Sequence, residues 1–419
     1  MSNIFDELQW RGLVAQTTGE DALREALGEG PVTVYCGFDP SAPSLHFGNL
    51  VQLVVLRHLQ RAGHRVLCLV GGSTGLIGDP KPTAERVLKT KDQTAQNVAR
   101  IKDLVRPFLD FEGDNPARLV DNLDWTAPMS ALDFLRDVGK HFRVNQMIRK
   151  DAIAARLESQ EGISYTEFSY QLLQALDFHH LFREYGCTLQ TGGSDQWGNL
   201  TAGVDLIHRA EGEVAHALTT PLLTDSSGQK LGKSEGNAVW LSPDMTSPYA
   251  FYQYFINVED ASVVQLLKVF TDRTQEQIAA LEESLTERPH LREAHRALAE
   301  DVTTLVHGPE HTAQVQQASQ VLFGKGDPAA LDEQTLLDAT AELPGGTVAV
   351  GDSIVDALVA SGLADSRGAA RRTVAEGGAS LNNVKVTDAE QVLGESDFLH
   401  GRVALVRRGR KNLAAARLA

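Results

Sequence analysis

The chain is predicted to open with a doubly wound parallel α/β sheet, followed by an all-α domain and a small α+β domain. Three observations predict this. Strand–glycine–helix junctions recur at Val32–Leu59, Arg65–Pro80 and Leu189–Leu200, and repeated β–loop–α units specify parallel strands with helical crossovers. From Pro248 to about Val321 the apolar residues keep helical spacing with no convincing strand. From Ser353 onward short capped helices alternate with short β-type runs. At 419 residues the chain is too long for one core. The expected divisions are 1–224 for the sheet domain, 225–247 for a mobile loop and connector, 248–325 for the helical domain, 326–350 for a linker, and 351–419 for the last domain.

The opening strand Val32–Cys36 breaks at Gly37 and turns through Asp39-Pro40 and Ala42-Pro43 into the apolar helix Leu50–Leu59. Such a turn leaves unpaired backbone N–H groups at the helix start, where anions are attracted. His46 and Asn49 share one face of the first turn, and Gly48 between them lets a flat ring approach the backbone. The buried-type strand Arg65–Val70 ends in GGSTGLIGDP, with glycines at 71, 72, 75 and 78. In open parallel sheets, ligands lie at that edge. Lys81–Leu88 is polar and expected to be mobile; Arg86–Phe111 reads as helix, Ala117–Asn122 as strand, and Ser130–Met147 as helix. In the helix Ser164–Phe182, Tyr170, Gln174 and Asp177 form a polar stripe on an apolar face, which predicts a lined cavity.

Composition narrows the chemistry. Hydrophobic content of 42% with 22% charge is ordinary for a globular protein. The net charge of −16 argues against blanket nucleic-acid binding. Yet Gly401–Ala419 carries Arg402, Arg407, Arg408, Arg410, Lys411 and Arg417 with no acid, so a polyanion is expected at this basic tail. The three cysteines, at 36, 68 and 187, fit neither a disulfide framework nor a zinc set, and predict a reducing cytoplasm. No basic-then-apolar leader and no bilayer-length apolar run is visible, so no membrane is expected.

Asp225–Asn237 has little apolar anchorage and reads as a mobile loop carrying Lys230 and Lys233. Toward the end, Ser353–Ser361 and Ser366-capped Arg367–Glu376 read as helices. Asn382-Asn383 joins Ala379–Leu381 to Val384–Val386 as a hairpin. Val403–Val406 makes a last strand, and Arg367, Arg371 and Arg372 lie together on the second helix. No Ser/His/Asp set, reactive cysteine or metal cluster is apparent. Strand-end loops offering His46/Asn49, Asp79 and Asp195/Gln196, with two lysines on a loop, suit nucleotidyl transfer, which needs positioning and charge stabilisation rather than a protein nucleophile.

His46-Phe47-Gly48-Asn49 resembles the HIGH signature of class I aminoacyl-tRNA synthetases, and Lys230-Leu231-Gly232-Lys233-Ser234 resembles their KMSKS loop. Tyr35–Pro40, GGSTGLIGDP, Phe168-Ser169-Tyr170 and GGSDQWGN at 192–199 resemble the bacterial tyrosine-specific branch, in order and over essentially the whole chain. Ser353–Thr387 resembles the small RNA-binding domain first known from a ribosomal protein. The resemblance implies a Rossmann-like catalytic domain and tyrosine–tRNA ligase activity in the cytoplasm. Its partners would be tyrosine, ATP with a chelated Mg²⁺, and tRNA, with no structural metal. Tyr35 and Asp177 would grip the phenol. Asp79, Tyr170 and Gln174 would hold the ammonium group, with Gln196 near the carboxylate. Gly37, Asp39, Gly48, Gly193 and Asp195 would border ATP, with Asp195 on the ribose. His46, Asn49, Ser41, Lys230 and Lys233 would serve catalysis. Arg367, Arg371, Arg372, Arg407, Arg408, Arg410 and Lys411 would contact tRNA, and Phe134–Phe142 would form a homodimer interface. Lys81 and Arg86 lie in a loop that reaches the pyrophosphate in the family and is a residue shorter here. The fourth HIGH position is Asn49, whose amide stands near the place of an imidazole N–H, and the KMSKS middle is Leu-Gly, which keeps both lysines. Rival readings are the tryptophan-specific relative, a nucleotidyltransferase making a small-molecule adenylate, and a non-enzymatic RNA-binding derivative.

Overall fold

A computed structural model of the chain describes residues 3–81, 86–159, 162–234, 237–410 and 412–419; at 151, 152, 233, 234 and 237 it describes the backbone. The chain forms two compact units, residues 1–245 with 258–298, and residues 246–257 with 299–419.

The first unit is built on a six-stranded sheet of β1 (Gln16–Thr17), β2 (Thr33–Phe38), β3 (Arg65–Val70), β4 (Arg118–Asp121), β5 (Cys187–Gly193) and β6 (His216–Thr220). Its order is β1-β6-β5-β2-β3-β4, parallel throughout except for the antiparallel edge strand β1. The doubly wound reading holds. The chain winds from β2 to β3 and β4 on one side, and β5 and β6 lie on the other. The strand order therefore reverses between β2 and β5, where an open α/β sheet leaves a crevice at the strands' carboxyl ends.

Alternation along the strands sends Tyr35, Leu67, Leu69 and Val120 into a core with Phe178 and Leu181 of one helix and Ile207 of another. Four helices matter for the site: α1 (Phe47–Arg61), α2 (Lys91–Leu104), α3 (Tyr165–Tyr185) and α4 (Trp197–Glu211). On the other register, Cys36 faces Gln52 of α1. Helix α2 starts at Lys91 rather than Arg86, because Thr90 and Gln93 close a capping box there. The expected helix over Ser130–Met147 is broken instead: a π turn at Phe134–Val138 and a 3₁₀ turn at Gly139–His141 run into extended backbone at Phe142.

The stretch 248–325 is helical and shared between the units. The helices Asp260–Phe270 and Gln275–Glu287 belong to the first, where Arg11 donates to the carbonyls of Lys268 and Thr271, both at 2.7 Å. Arg57 of α1 pairs with Asp272 at 3.1 Å.

Between these helices and the sheet, β7 (Lys233–Ser234) and β8 (Asn237–Ala238) pair as a short two-stranded ribbon. In the second unit, a five-stranded sheet has the order β11-β10-β12-β13-β9. Its strands are β9 (Gly345–Val348), β10 (Ala379–Leu381), β11 (Val384–Val386), β12 (Val403–Arg408) and β13 (Asn412–Leu418). The Asn382-Asn383 hairpin is present, with φ of 48° and 65° at its two turn residues.

Two expectations fail here. Residues 326–350, expected as a linker, contain the helix Glu333–Thr340 and strand β9, and bury Leu331 and Leu336. The basic tail is no tail. Leu413–Ala416 is a run of small apolar residues that fills both faces of β13, a strand enclosed between β12 and β9. Ala414 and Ala416 pack toward Ile354 and Leu358, while Leu413 and Ala415 pack toward Leu331 and Leu336.

Candidate active site

The carboxyl ends of β2, β3 and β5 and the starts of α1 and α4 converge at the crevice. Three carboxylates line it, each held by two donors. Asp39 accepts from Thr74 Oγ1 at 2.6 Å and from the Tyr170 hydroxyl at 2.7 Å. Asp79 accepts from Gln196 Nε2 at 2.9 Å and Asn199 Nδ2 at 3.1 Å. Asp177 accepts from Asn122 Nδ2 and Trp125 Nε1, both at 2.9 Å. Burial raises all three pKa values, to about 8 for Asp177, because desolvation outweighs the donors that favour the anion.

Beside Asp177 stands Tyr35, 1% exposed, whose hydroxyl has no hydrogen-bond partner among the described residues. Burial, and then the charge of Asp177, raises the pKa of that phenol. Gln174 Oε1 is likewise buried and unpartnered. Buried polar atoms of this kind cost stability unless something else supplies the bond. Tyr170, expected with Asp79 and Gln174 on an ammonium group, donates its hydroxyl to Asp39 and also lies within electrostatic reach of Asp79.

At the start of α1, His46 is the N-cap, and its Nδ1 accepts the Gly48 N–H at 3.0 Å. Asn49 Oδ1 accepts the His46 N–H at 3.1 Å, completing the box. The amide of Asn49 thus has a local task that the sequence did not reveal. A Cβ on Gly48 would stand 2.9 Å from His46 Cε1, so the ring that the glycine admits is His46's own. With Nδ1 an acceptor, the neutral imidazole carries its proton on Nε2.

Lys230 pairs with Asp195 at 3.3 Å, both about half exposed. Asp195, expected on a ribose, therefore has a cationic neighbour. Gly232, at φ +80°, lies with its Cα against the Phe47 ring, where a Cβ would come within 3.0 Å. Val239 N–H donates to Gly232, and Phe47 N–H to Val239, which ties the lysine loop to the HFGN turn. Gly37 is an exposed strand residue and Gly193 ends β5. Ser41 is exposed in the β2–α1 turn, and the backbone of Lys233 lies in β7.

Sequence reasoning missed Thr74, Asn122, Trp125 and Asn199. Asn199 stands three residues after Gln196 inside GGSDQWGN, so its helical spacing was a usable signal. Asn122 follows β4 directly and Trp125 lies in the short helix Leu123–Thr126 after it, where no pattern pointed at Asp177. Lys150 was missed as well. Its ammonium rests on the Gly198 carbonyl, and burial lowers its pKa to about 7.

The profile described as tRNA synthetases class I (W and Y) matches residues 27–324. The profile described as the tyrosine–tRNA ligase SYY-like C-terminal domain matches residues 336–415. The chain belongs to the tyrosine–tRNA ligase family of class I synthetases. It is 61% identical to the tyrosine–tRNA ligase of Streptomyces griseus over 416 residues, which cover 99% of this chain and 98% of that one. Identity to the Streptomyces coelicolor ligase is 58% over 419 residues, covering 100% and 99%. A C-terminally truncated mitochondrial tyrosyl-tRNA synthetase from Aspergillus nidulans superposes with TM-score 0.70 at 31% identity, over 77% of this chain and 95% of that one. A tryptophanyl-tRNA synthetase from Encephalitozoon cuniculi, at 14% identity and TM-score 0.54 over 79% and 89%, shares the fold alone. ATP is a substrate throughout class I synthetases.

The residues expected on tRNA divide. Arg367, Arg371, Arg372 and Arg410 are exposed. Arg367 pairs with Asp356 and Arg371 with Glu390 at the surface. Arg407 must be withdrawn from that set. It is 8% exposed and donates to the Leu322 carbonyl at 2.7 Å, and burial lowers its pKa. Arg408 donates to the Leu363 carbonyl at 2.8 Å. Lys411 lies outside the described residues.

Proposed function

We infer that the chain is a tyrosine–tRNA ligase. The tyrosine carboxylate attacks the α-phosphate of ATP, giving tyrosyl-adenylate and pyrophosphate, and the 3′-terminal ribose hydroxyl of tRNA(Tyr) then takes the tyrosyl group. One observation carries the amino-acid assignment: the buried Tyr35 hydroxyl has no partner among the described residues and stands within electrostatic reach of Asp177. A substrate phenol satisfies both groups, and phenylalanine would leave them unpaired.

Asp79 and Gln174 receive the ammonium group, and Gln196 stands near the carboxylate. Gly37, Asp39, Gly48 and Gly193 border the adenylate. His46 donates its Nε2–H to charge developing on the phosphate; one such donor contributes about 2.7–4 kcal/mol to transition-state stabilisation. Because an exposed pair such as Lys230–Asp195 is weak, Lys230 exchanges that carboxylate for the departing pyrophosphate, with Lys233 beside it. Asp195 is then released to the ribose. Magnesium enters as part of the ATP substrate.

Homodimer formation is supported by the apolar side chains exposed between 132 and 165: Leu132 79%, Leu135 50%, Val144 62%, Leu157 50% and Tyr165 67%. The arginines of 367–372 and Arg410 take tRNA phosphates, since surface ion pairs yield readily to a polyanion. The three thiols are buried and free, which supports a cytoplasmic location. Among the described residues, no helix is long and apolar enough to cross a membrane.

ATP–pyrophosphate exchange with tyrosine, tryptophan and phenylalanine tests the reading. Exchange should depend on tyrosine. Equal rates with tryptophan would move the chain to the sister specificity, and tRNA binding without any exchange would leave only an RNA-binding role.

A further inference from the structure

One buried ion pair has no part in the chemistry described so far. Arg156 Nη1 lies 2.9 Å from Glu167 Oε2, with side-chain exposures of 2% and 1%. Two charges withdrawn from water are costly unless their remaining hydrogen-bonding capacity is used; apart from Glu167 Oε2, which has the ion pair alone among the described residues, that capacity goes to backbone. Arg156 Nη1 donates to the Lys81 carbonyl at 3.2 Å, and Nε donates to the Gly162 carbonyl at 3.0 Å. Glu167 Oε1 accepts the Arg86 N–H at 2.8 Å. The pair thus holds the chain on both sides of residues 82–85. Glu167 also forgoes a local bond to do this. Ser164 caps α3 by accepting the Glu167 N–H, so Glu167 occupies the position from which a glutamate closes a capping box, yet its carboxylate is turned onto Arg86 instead.

What the pair holds in place is cationic. Arg86 Nε donates to the Asp79 carbonyl at 2.8 Å. Lys89 donates to the carbonyls of Pro40, at 3.2 Å, and Ser41, in the turn between β2 and α1. Lys89 has no carboxylate partner among the described residues, so its charge at that rim is balanced only by neutral oxygens. We propose that the Arg156–Glu167 pair is a positioning device for the reaction, fixing the chain at Lys81 and Arg86 so that Arg86 and Lys89 stand at the phosphate edge of the site. The proposal rests on the ligase reading above. Because Glu167 opens the helix that carries Tyr170, Gln174 and Asp177, the pair also joins the amino-acid side of the site to its phosphate side.

The test uses the full chain. Arg156→Met alone would strand a buried carboxylate, so the main variant is Arg156→Met/Glu167→Met, which keeps the interior neutral; Glu167→Gln, which retains an acceptor for the Arg86 N–H, is the second. Circular dichroism establishes folding, equilibrium dialysis gives tyrosine affinity, and the exchange assay gives kcat and the KM for pyrophosphate. In the double variant, tyrosine affinity should stay within about twofold while kcat/KM for pyrophosphate falls about 10- to 100-fold, the scale of an ångström-level misplacement. Glu167→Gln should show the same pattern more weakly. A wild-type KM for pyrophosphate in either folded variant would overturn the proposal. So would equal losses of tyrosine and pyrophosphate binding, which would make the pair a support of α3 alone. Failure of the unaltered protein to exchange with tyrosine would instead strike the ligase reading itself.

Discussion

At the rim of the large sheet, three carboxylates, that of Asp177 fully buried, each hold two side-chain donors, and among the described residues the Tyr35 hydroxyl and Gln174 Oε1 have no partner. In the second unit the charge is cationic, buried at Arg407 and exposed at Arg408 and Arg417, and it ends on backbone. The guanidiniums of Arg407 and Arg408 end on the carbonyls of Leu322 and Leu363, and that of Arg417 on Thr340 at 3.1 Å. Among the described residues, the first region leaves the Tyr35 hydroxyl and Gln174 Oε1 without a hydrogen-bond partner, and the second leaves Arg407 Nε. The two regions therefore differ in the sign of their charge and in what answers it: side-chain donors from distant segments at the rim, backbone carbonyls in the second unit.

Breaking the rim should have the largest effect. His46→Ala should slow tyrosyl-adenylate formation by about 10²- to 10³-fold, equivalent to about 2.7–4 kcal/mol, with tyrosine affinity within about twofold; single-turnover kinetics and equilibrium dialysis separate the two. Asp177→Asn comes next, because the new amide must point an N–H at either Asn122 or Trp125. Preference for tyrosine over phenylalanine in kcat/KM should fall roughly 5- to 100-fold, the range of about 1–3 kcal/mol for one unsatisfied buried group.

The second unit sharpens the contrast. Arg407→Ala should lower stability by about 1–3 kcal/mol in urea unfolding while leaving the salt dependence of tRNA binding unchanged. Arg371→Ala and Arg372→Ala should do the reverse, each reducing the slope of log K against log salt by about one. If Arg407→Ala flattened the salt slope instead, the division between structural and tRNA-facing charge would fail there.

The smallest effect is in pH. A carboxyl whose folded pKa is raised favours folding while protonated, so its contribution is complete below about pH 4 and is lost as pH rises through the folded value, about 8 for Asp177. Wild-type melting temperature should thus fall relative to Asp177→Asn between pH 5 and 8.5, and the gap between them should narrow. A constant gap in circular dichroism melts would mean that Asp177 ionises without strain.

Much of the site was legible because its motifs are local. The strand–turn–helix at 32–59 specifies a cap, and His46 is that cap. The stripe Tyr170, Gln174, Asp177 follows helical spacing and does line a polar interior. The partners of these residues were less legible. Trp125 reaches Asp177 from 52 residues away, and Tyr170 reaches Asp39 from 131. No periodicity records which of several acids a hydroxyl will meet. Net charge misled at the C-terminus, because the same arginine count suits a solvated tail or a strand pair that donates to its own neighbours.

The sequence by itself determined the parallel sheet, the helix start at His46 and Asn49, the lysine loop and the class of chemistry, since each is encoded within a few turns of chain. Only the tertiary structure decided which polar groups are spoken for. Hydrogen-bond pairing between distant segments is set by where packing leaves donors and acceptors face to face, and that geometry exists only once the layers have closed.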